Sequence, residues 1–110
     1  MSKEYCLIYT TGDSKENLES IAEALLEKKL IACANIYPEI SSIYKWENQL
    51  EKSTEIAIVL KTKVENFNKI EKEITKLHSY DCPVIIQIPI SQLSNNYAQW
   101  LENSLNESLS

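Results

Sequence analysis

Apolar positions along the chain change their period several times, and each change marks an element. Tyr5 to Thr11 is a short apolar and β-branched run closed by Gly12, which predicts a buried strand. Asp13 stands three residues before Glu16, a start like a capping box with Asp in place of Ser or Thr. Leu18, Ile21, Ala22, Leu25 and Leu26 then recur at the spacing of one helical face, and Lys28 and Lys29 sit where positive charge suits a helix C-terminus. Ile31 to Trp46 predicts a long extended stretch bent near Pro38, since proline cannot donate to a ladder. Glu47-Asn48-Gln49 is the turn, with Asn48 able to take a left-handed conformation. Thr54, Ile56, Ile58 and Leu60 alternate along the returning strand. Thr62 and Glu65 form a second capping box, and Phe67, Ile70, Ile74 and Leu77 mark one face of a second helix. Val84, Ile86, Ile88 and Ile90 alternate in a last strand, which Pro89 assigns to an edge. Ser94 is placed to cap a short final helix with Tyr97, Trp100, Leu101 and Leu105 inward.

The order β-α-β-β-α-β plus a terminal helix predicts an α+β ferredoxin-like (split βαβ) sandwich, with two helices on one face of an antiparallel sheet. With 110 residues there is room for one domain, 1–110, and one core. The central hairpin is too long for that body. A helix of ~15 residues covers about 22 Å, whereas a strand as long as Ile31 to Trp46 runs roughly 50 Å. The tip must project, yet it carries Ile40, Ile43, Tyr44, Trp46 and Leu50, which are costly to leave wet. Either the hairpin docks on a neighbour in a symmetric oligomer, with Ile43, Tyr44 and Trp46 at the interface, or it curls back onto its own sheet.

Composition narrows the functional classes. A hydrophobic fraction of 44% with 25% charged residues is globular rather than disordered. The net charge is −5 and every one of the 11 basic residues is lysine. Without arginine, the usual bidentate reader of phosphate and guanine, nucleic-acid binding has little footing. No apolar run approaches the ~20 residues of a membrane span, and Met1-Ser2-Lys3-Glu4-Tyr5 lacks the apolar stretch of a signal peptide. Cys6, Cys33 and Cys82 are widely spaced and odd in number, as reduced thiols in a cytoplasmic protein would be.

Several segments resemble one family. Leu30-Ile31-Ala32-Cys33-Ala34-Asn35-Ile36 resembles the LxACxN segment of the CutA divalent-cation-tolerance proteins. Ser42 to Glu47 resembles that family's SxYxWxG hairpin, and Glu55 to Thr62 its ExxxxxKT strand. His78 to Pro83 matches the HPYxxPE loop in part, and Tyr97, Trp100 and Leu101 the terminal helix. The resemblance implies a ferredoxin-like homotrimer locked by hairpins, cytoplasmic in bacteria, and tolerance of divalent metals, copper in particular. Asn48 replaces the usual turn glycine, Ser79 the loop proline and Val84 an acidic residue. Tyr9 stands where some bacterial members carry a cysteine implicated in copper binding.

The candidate chemistry is sparse. Cys33, His78 and Cys82 are the soft donors for Cu(II) or another divalent cation. A site needs three or four convergent ligands, so any site here is weak, completed by Asp or Glu, or shared across subunits. Cys33 reads equally as a small core residue and His78 as a helix-end cap. Trp46, Lys61 and Tyr80 are candidates for an intersubunit ligand cleft, with interface packing as the competing role for Trp46 and a solvated head for Lys61. Asp13 and Glu16 read as a helix cap rather than a catalytic pair. One histidine makes no triad, the acylphosphatase arginine and the MxCxxC of copper chaperones are missing, and the third strand lacks RNA-stacking aromatics. The expectation is a non-enzyme without an obligatory cofactor. Its function would be weak metal binding or, alternatively, a scaffold or small-ligand sensor role, with homotrimerisation, an unknown protein partner, and neither nucleic acid nor membrane.

Overall fold

The structure, a computed structural model, describes residues 4–106, so the Met1-Ser2-Lys3 stretch lies outside it. Strand β1 (Tyr5–Gly12) is followed by helix α1 (Lys15–Glu27) and the hairpin of β2 (Cys33–Trp46) and β3 (Gln49–Lys63). A 3₁₀ turn (Val64–Asn66) leads into α2 (Phe67–Leu77), and β4 (Ile86–Pro89) and α3 (Asn95–Asn106) complete the chain. The sheet order is β2-β3-β1-β4 with every pairing antiparallel. This is the expected split βαβ arrangement, in which each helix-bearing crossover skips one strand.

The core follows from the alternation. Cys6 and Ile8 of β1 and Ile58 and Leu60 of β3 point to one face, where they meet Leu18, Ile21 and Leu25 of α1 and Ile70 and Ile74 of α2. Lys28, the C-cap of α1, pairs with Glu73 of α2 at 2.7 Å across the helix layer. On the opposite face α3 covers one end of the sheet, packing Leu101 and Leu105 against Ala32 and Tyr5. There Glu102, almost buried, accepts from the Tyr5 hydroxyl at 2.9 Å and pairs with Lys63 at 2.9 Å.

The helix ends depart from the expected caps. Ser14, not Asp13, caps α1, accepting from the Asn17 N–H at 3.1 Å. Ser14 is extended, the conformation a cap needs. At the far end Lys29 takes φ 60° and Leu30 N–H returns to Leu25 O at 2.9 Å, a Schellman closure without glycine. Thr62 does not open the second helix, because β3 continues to Lys63. Its hydroxyl is buried and donates to Leu30 O at 2.6 Å, fastening the α1–β2 connection. The last strand is shorter than its apolar alternation: it spans Ile86–Pro89 at the edge beside β1, and Ile90 N–H adds one bond to Tyr5 O at 3.1 Å.

The hairpin projects. Fourteen residues of β2 span about 46 Å at the usual rise, matching the molecule's longest dimension of 47 Å. Pro38 and Glu39 lie in a bulge between the Tyr37/Ala57 and Ile40/Glu55 pairs, which is where the bend was expected. At the tip both Glu47 (φ 50°) and Asn48 (φ 66°) are left-handed, the two-residue turn that suits a twisted ribbon.

Candidate functional site

Period-two alternation sorts the hairpin into two faces. Ser42, Tyr44 and Trp46 stand with Ser53, Glu51 and Gln49 on one, and Ile43 and Lys45 with Lys52 and Leu50 on the other. The first face forms one wall of a cleft of about 690 Å³. The other wall is the end of β1 with Asp13 and the loop after α2, so the cleft is lined by Thr11, Asp13, Glu51, Glu55, Tyr80 and Cys82 besides the hairpin aromatics.

His78 sets the position of that loop. Its Nδ1 accepts from the Tyr80 N–H at 2.9 Å, and its Nε2 lies 2.7 Å from Thr11 O. A carbonyl cannot donate, so Nε2 carries the hydrogen and the ring is the Nε2–H tautomer. Gly12 leaves room for it: a Cβ there would stand 3.3 Å from the ring. The ring packs on Tyr80 at 4.9 Å between centroids. Ser79 ties the loop to the start of α1, with its N–H on Asn17 Oδ1 at 3.1 Å and its hydroxyl on Asp13 at 3.3 Å.

Tyr80 thereby reaches Glu55. Its hydroxyl donates to one carboxylate oxygen at 3.0 Å, while Ser42 donates to the other at 2.7 Å. The Tyr80 pKa is pushed up to about 12, first by burial, then by the hydrogen bond and charge of Glu55, with Asp13 and Tyr44 adding to it. The phenol therefore stays protonated at neutral pH, and Glu55 is oriented between two hydroxyl donors.

The sequence candidates divide. Trp46 and Tyr80 do share this cleft, and Cys82 lines it too. Lys61 does not: its ammonium lies over the Tyr97 ring at 5.5 Å, on the α3 side of the sheet. Cys33 pairs with Lys61, which pairs with Leu7, whereas His78 touches Thr11, about 13 Å further along β1 and two strands over from β2, so the two do not meet. His78 has both ring nitrogens engaged. Among the described residues no three His, Cys, Asp or Glu side chains converge on a point where an ion could sit. The residues that sequence reasoning missed are Asp13, Ser42, Glu51 and Glu55. Register would have flagged the last three, since they fall on the face of Tyr44 and Trp46, but Asp13 and the cleft wall it shares depend on tertiary folding.

The chain is similar to proteins of one kind throughout its length. The CutA1 divalent ion tolerance protein family model matches residues 6–104. A divalent-cation tolerance protein CutA of Archaeoglobus fulgidus is 42% identical over 98 residues, covering 89% of this chain and 95% of that protein. The crystal structure of the divalent ion tolerance protein CutA1 from Ehrlichia chaffeensis superposes with a TM-score of 0.88 at 38% identity, covering 96% of this chain and 98% of the other. CutA1 from Oryza sativa superposes at 0.89 with 32% identity, covering 97% and 98%. With the family model matching residues 6–104 and relatives and solved structures matching nearly the whole chain, the chain belongs to the CutA1 divalent ion tolerance family.

Proposed function

We propose that this protein acts in divalent-cation tolerance, copper in particular, as a homotrimer that binds rather than catalyses, in the cytoplasm. The observation that carries the reading is the hairpin tip, where Ile43 and Leu50, on the face turned away from the cleft, are each more than 60% exposed. Burying them on a neighbour is the economical outcome, because apolar surface of that size is unfavourable in water. Ion binding is weak and completed across the subunit boundary, since one chain offers only separated donors. Cys82 is the thiol that lines the cleft, whose lining also includes Asp13 and Glu51. Three free thiols, Cys6, Cys33 and Cys82, suit a reducing compartment. Relatives bear the names "Protein CutA, chloroplastic" and "Periplasmic divalent cation tolerance protein CutA", so location is tested separately by cell fractionation. Among the described residues no helix is long and apolar enough to cross a membrane.

The test is a native mass spectrum without metal and with excess Cu(II), on wild type, Cys33→Ala and Cys82→Ala. A trimer that adds stoichiometric copper, lost in Cys82→Ala, supports the reading. A monomer would sink the assembly, and a trimer that adds no copper would sink direct ion binding. That last result would favour a second reading, a scaffold or small-ligand sensor. The aromatic lining of the cleft by Tyr44, Trp46 and Tyr80 speaks for it.

A further inference from the structure

The cleft has a chemical character that a bare metal ion does not use. Among the described residues its lining combines three aromatic side chains, Tyr44, Trp46 and Tyr80, with three carboxylates, Asp13, Glu51 and Glu55, and no lysine. The two sets meet at Tyr80, whose hydroxyl lies 3.0 Å from Glu55 and whose neighbour Ser79 places its hydroxyl 3.3 Å from Asp13. Glu55 is already ordered by Ser42 and Tyr80, so a ligand meets a fixed negative charge and spends little ordering it.

Each ligand class can be set against that lining. A dehydrated divalent ion needs several donors within about 2–2.5 Å of one point, and among the described residues one chain alone brings no such group together. An anion would face three carboxylates. A neutral apolar molecule would fit the aromatics and strip water from the carboxylates without replacing it. An organic ammonium satisfies both: its charge is spread over alkyl groups and weakly hydrated, it is attracted to aromatic rings, and it neutralises nearby carboxylates without direct ligation. We infer that the cleft is a binding site for a small alkylammonium ion. The inference rests on the small-ligand reading of this cleft and names its ligand class.

Choline is the probe, titrated calorimetrically into the full chain at low salt, against its neutral isostere in which carbon replaces the quaternary nitrogen. The expected result is saturable choline binding, one per chain, at least about tenfold tighter than the isostere and weakening as salt rises. Glu51→Gln combined with Glu55→Gln keeps side-chain shape and should weaken choline about tenfold while leaving the isostere unchanged. Trp46→Leu keeps apolar bulk and should remove most of the preference for choline. Melting temperature and native mass, recorded for each variant, separate lost binding from lost folding or assembly. Equal affinity for choline and isostere, or choline affinity indifferent to both variants, overturns the ammonium assignment. A panel of neutral and anionic metabolites closes the experiment. If one of them raises the melting temperature and choline does not, the ligand class is wrong and the cleft reading stands. If nothing in the panel or among the ammonium ions does so at saturating concentration, the small-ligand reading falls with it.

Discussion

One strand pair lives in two environments. Near its root the β2–β3 ribbon lies in the sheet, and Ala57, Ile58 and Leu60 are fully or almost fully buried. Beyond the Pro38 bulge the same two strands keep their ladder from Ile40/Glu55 to Trp46/Gln49, yet Ile43, Trp46 and Leu50 lie open. Backbone pairing and a two-residue turn are therefore enough to hold the ribbon's shape, while burial decides which half is stable on its own account. The root is complete within one chain. On the tip's outer face Ile43 and Leu50 stay exposed among the described residues, and the proposed trimer would supply the surface that covers them.

The sharpest way to break this contrast is to cut into both halves. Ile58→Ala removes a fully buried side chain from between α1 and α2 and should cost about 3 kcal/mol in a denaturant melt. Ile43→Ser with Leu50→Ser acts on the hairpin face away from the cleft. It should abolish the proposed trimer in a native mass spectrum while circular dichroism retains the helices and sheet. A double variant that unfolds the body would show that root and tip are one cooperative unit, and the comparison would fail.

Alkaline pH probes the body more gently. Burial alone pushes the Cys6 thiol up to about 11 from an ordinary value of 9, and the Tyr80 phenol stands at about 12. In both cases the fold prefers the protonated form. The stabilisation is complete below the ordinary values and is lost as pH rises through the shifted ones, so unfolding should ease between pH 9 and 12. For Cys6 the loss is on the order of 2 kcal/mol, and Cys6→Ala should flatten the slope of melting temperature between pH 9 and 11. An unchanged slope would mean that the thiol ionises without resistance inside the core.

Thr62→Val should cost between about 1 and 2 kcal/mol, because it removes a buried hydroxyl from Leu30 O while leaving the volume filled. Loss of helix content without loss of global stability would instead restore Thr62 as a helix cap. That residue illustrates what could be read from sequence and what could not. The strands and helices were legible because their apolar period is fixed by backbone geometry, and the overhang was legible because strand rise and helix rise differ more than twofold. The cap assignments at Asp13 and Thr62 were not. A cap signature is a local pattern of oxygen-bearing residues, and Asp13-Ser14 offers two such oxygens where the chain uses one. The cleft was half legible: Trp46 and Tyr80 were named, but Lys61 was drawn in from the far side. Glu55 was passed over because its role depends on Tyr80, 25 residues away, arriving over the hairpin stem.

The smallest effect separates the two neighbouring oxygens. Ser14→Ala removes the acceptor for the Asn17 N–H and should cost about 1 kcal/mol, as loss of an N-cap usually does. Asp13→Ala breaks only an exposed contact with the Ser79 hydroxyl and should cost less than about 0.5 kcal/mol. The same variant should nevertheless weaken choline, because Asp13 lines the cleft and Ser14 does not. Stability and binding would then fall to different members of an adjacent pair, Ser14 serving the fold and Asp13 the cleft. If Asp13→Ala proved the costlier of the two in a melt, the helix would start one residue earlier than its backbone indicates, and Asp13 would serve the fold as its cap.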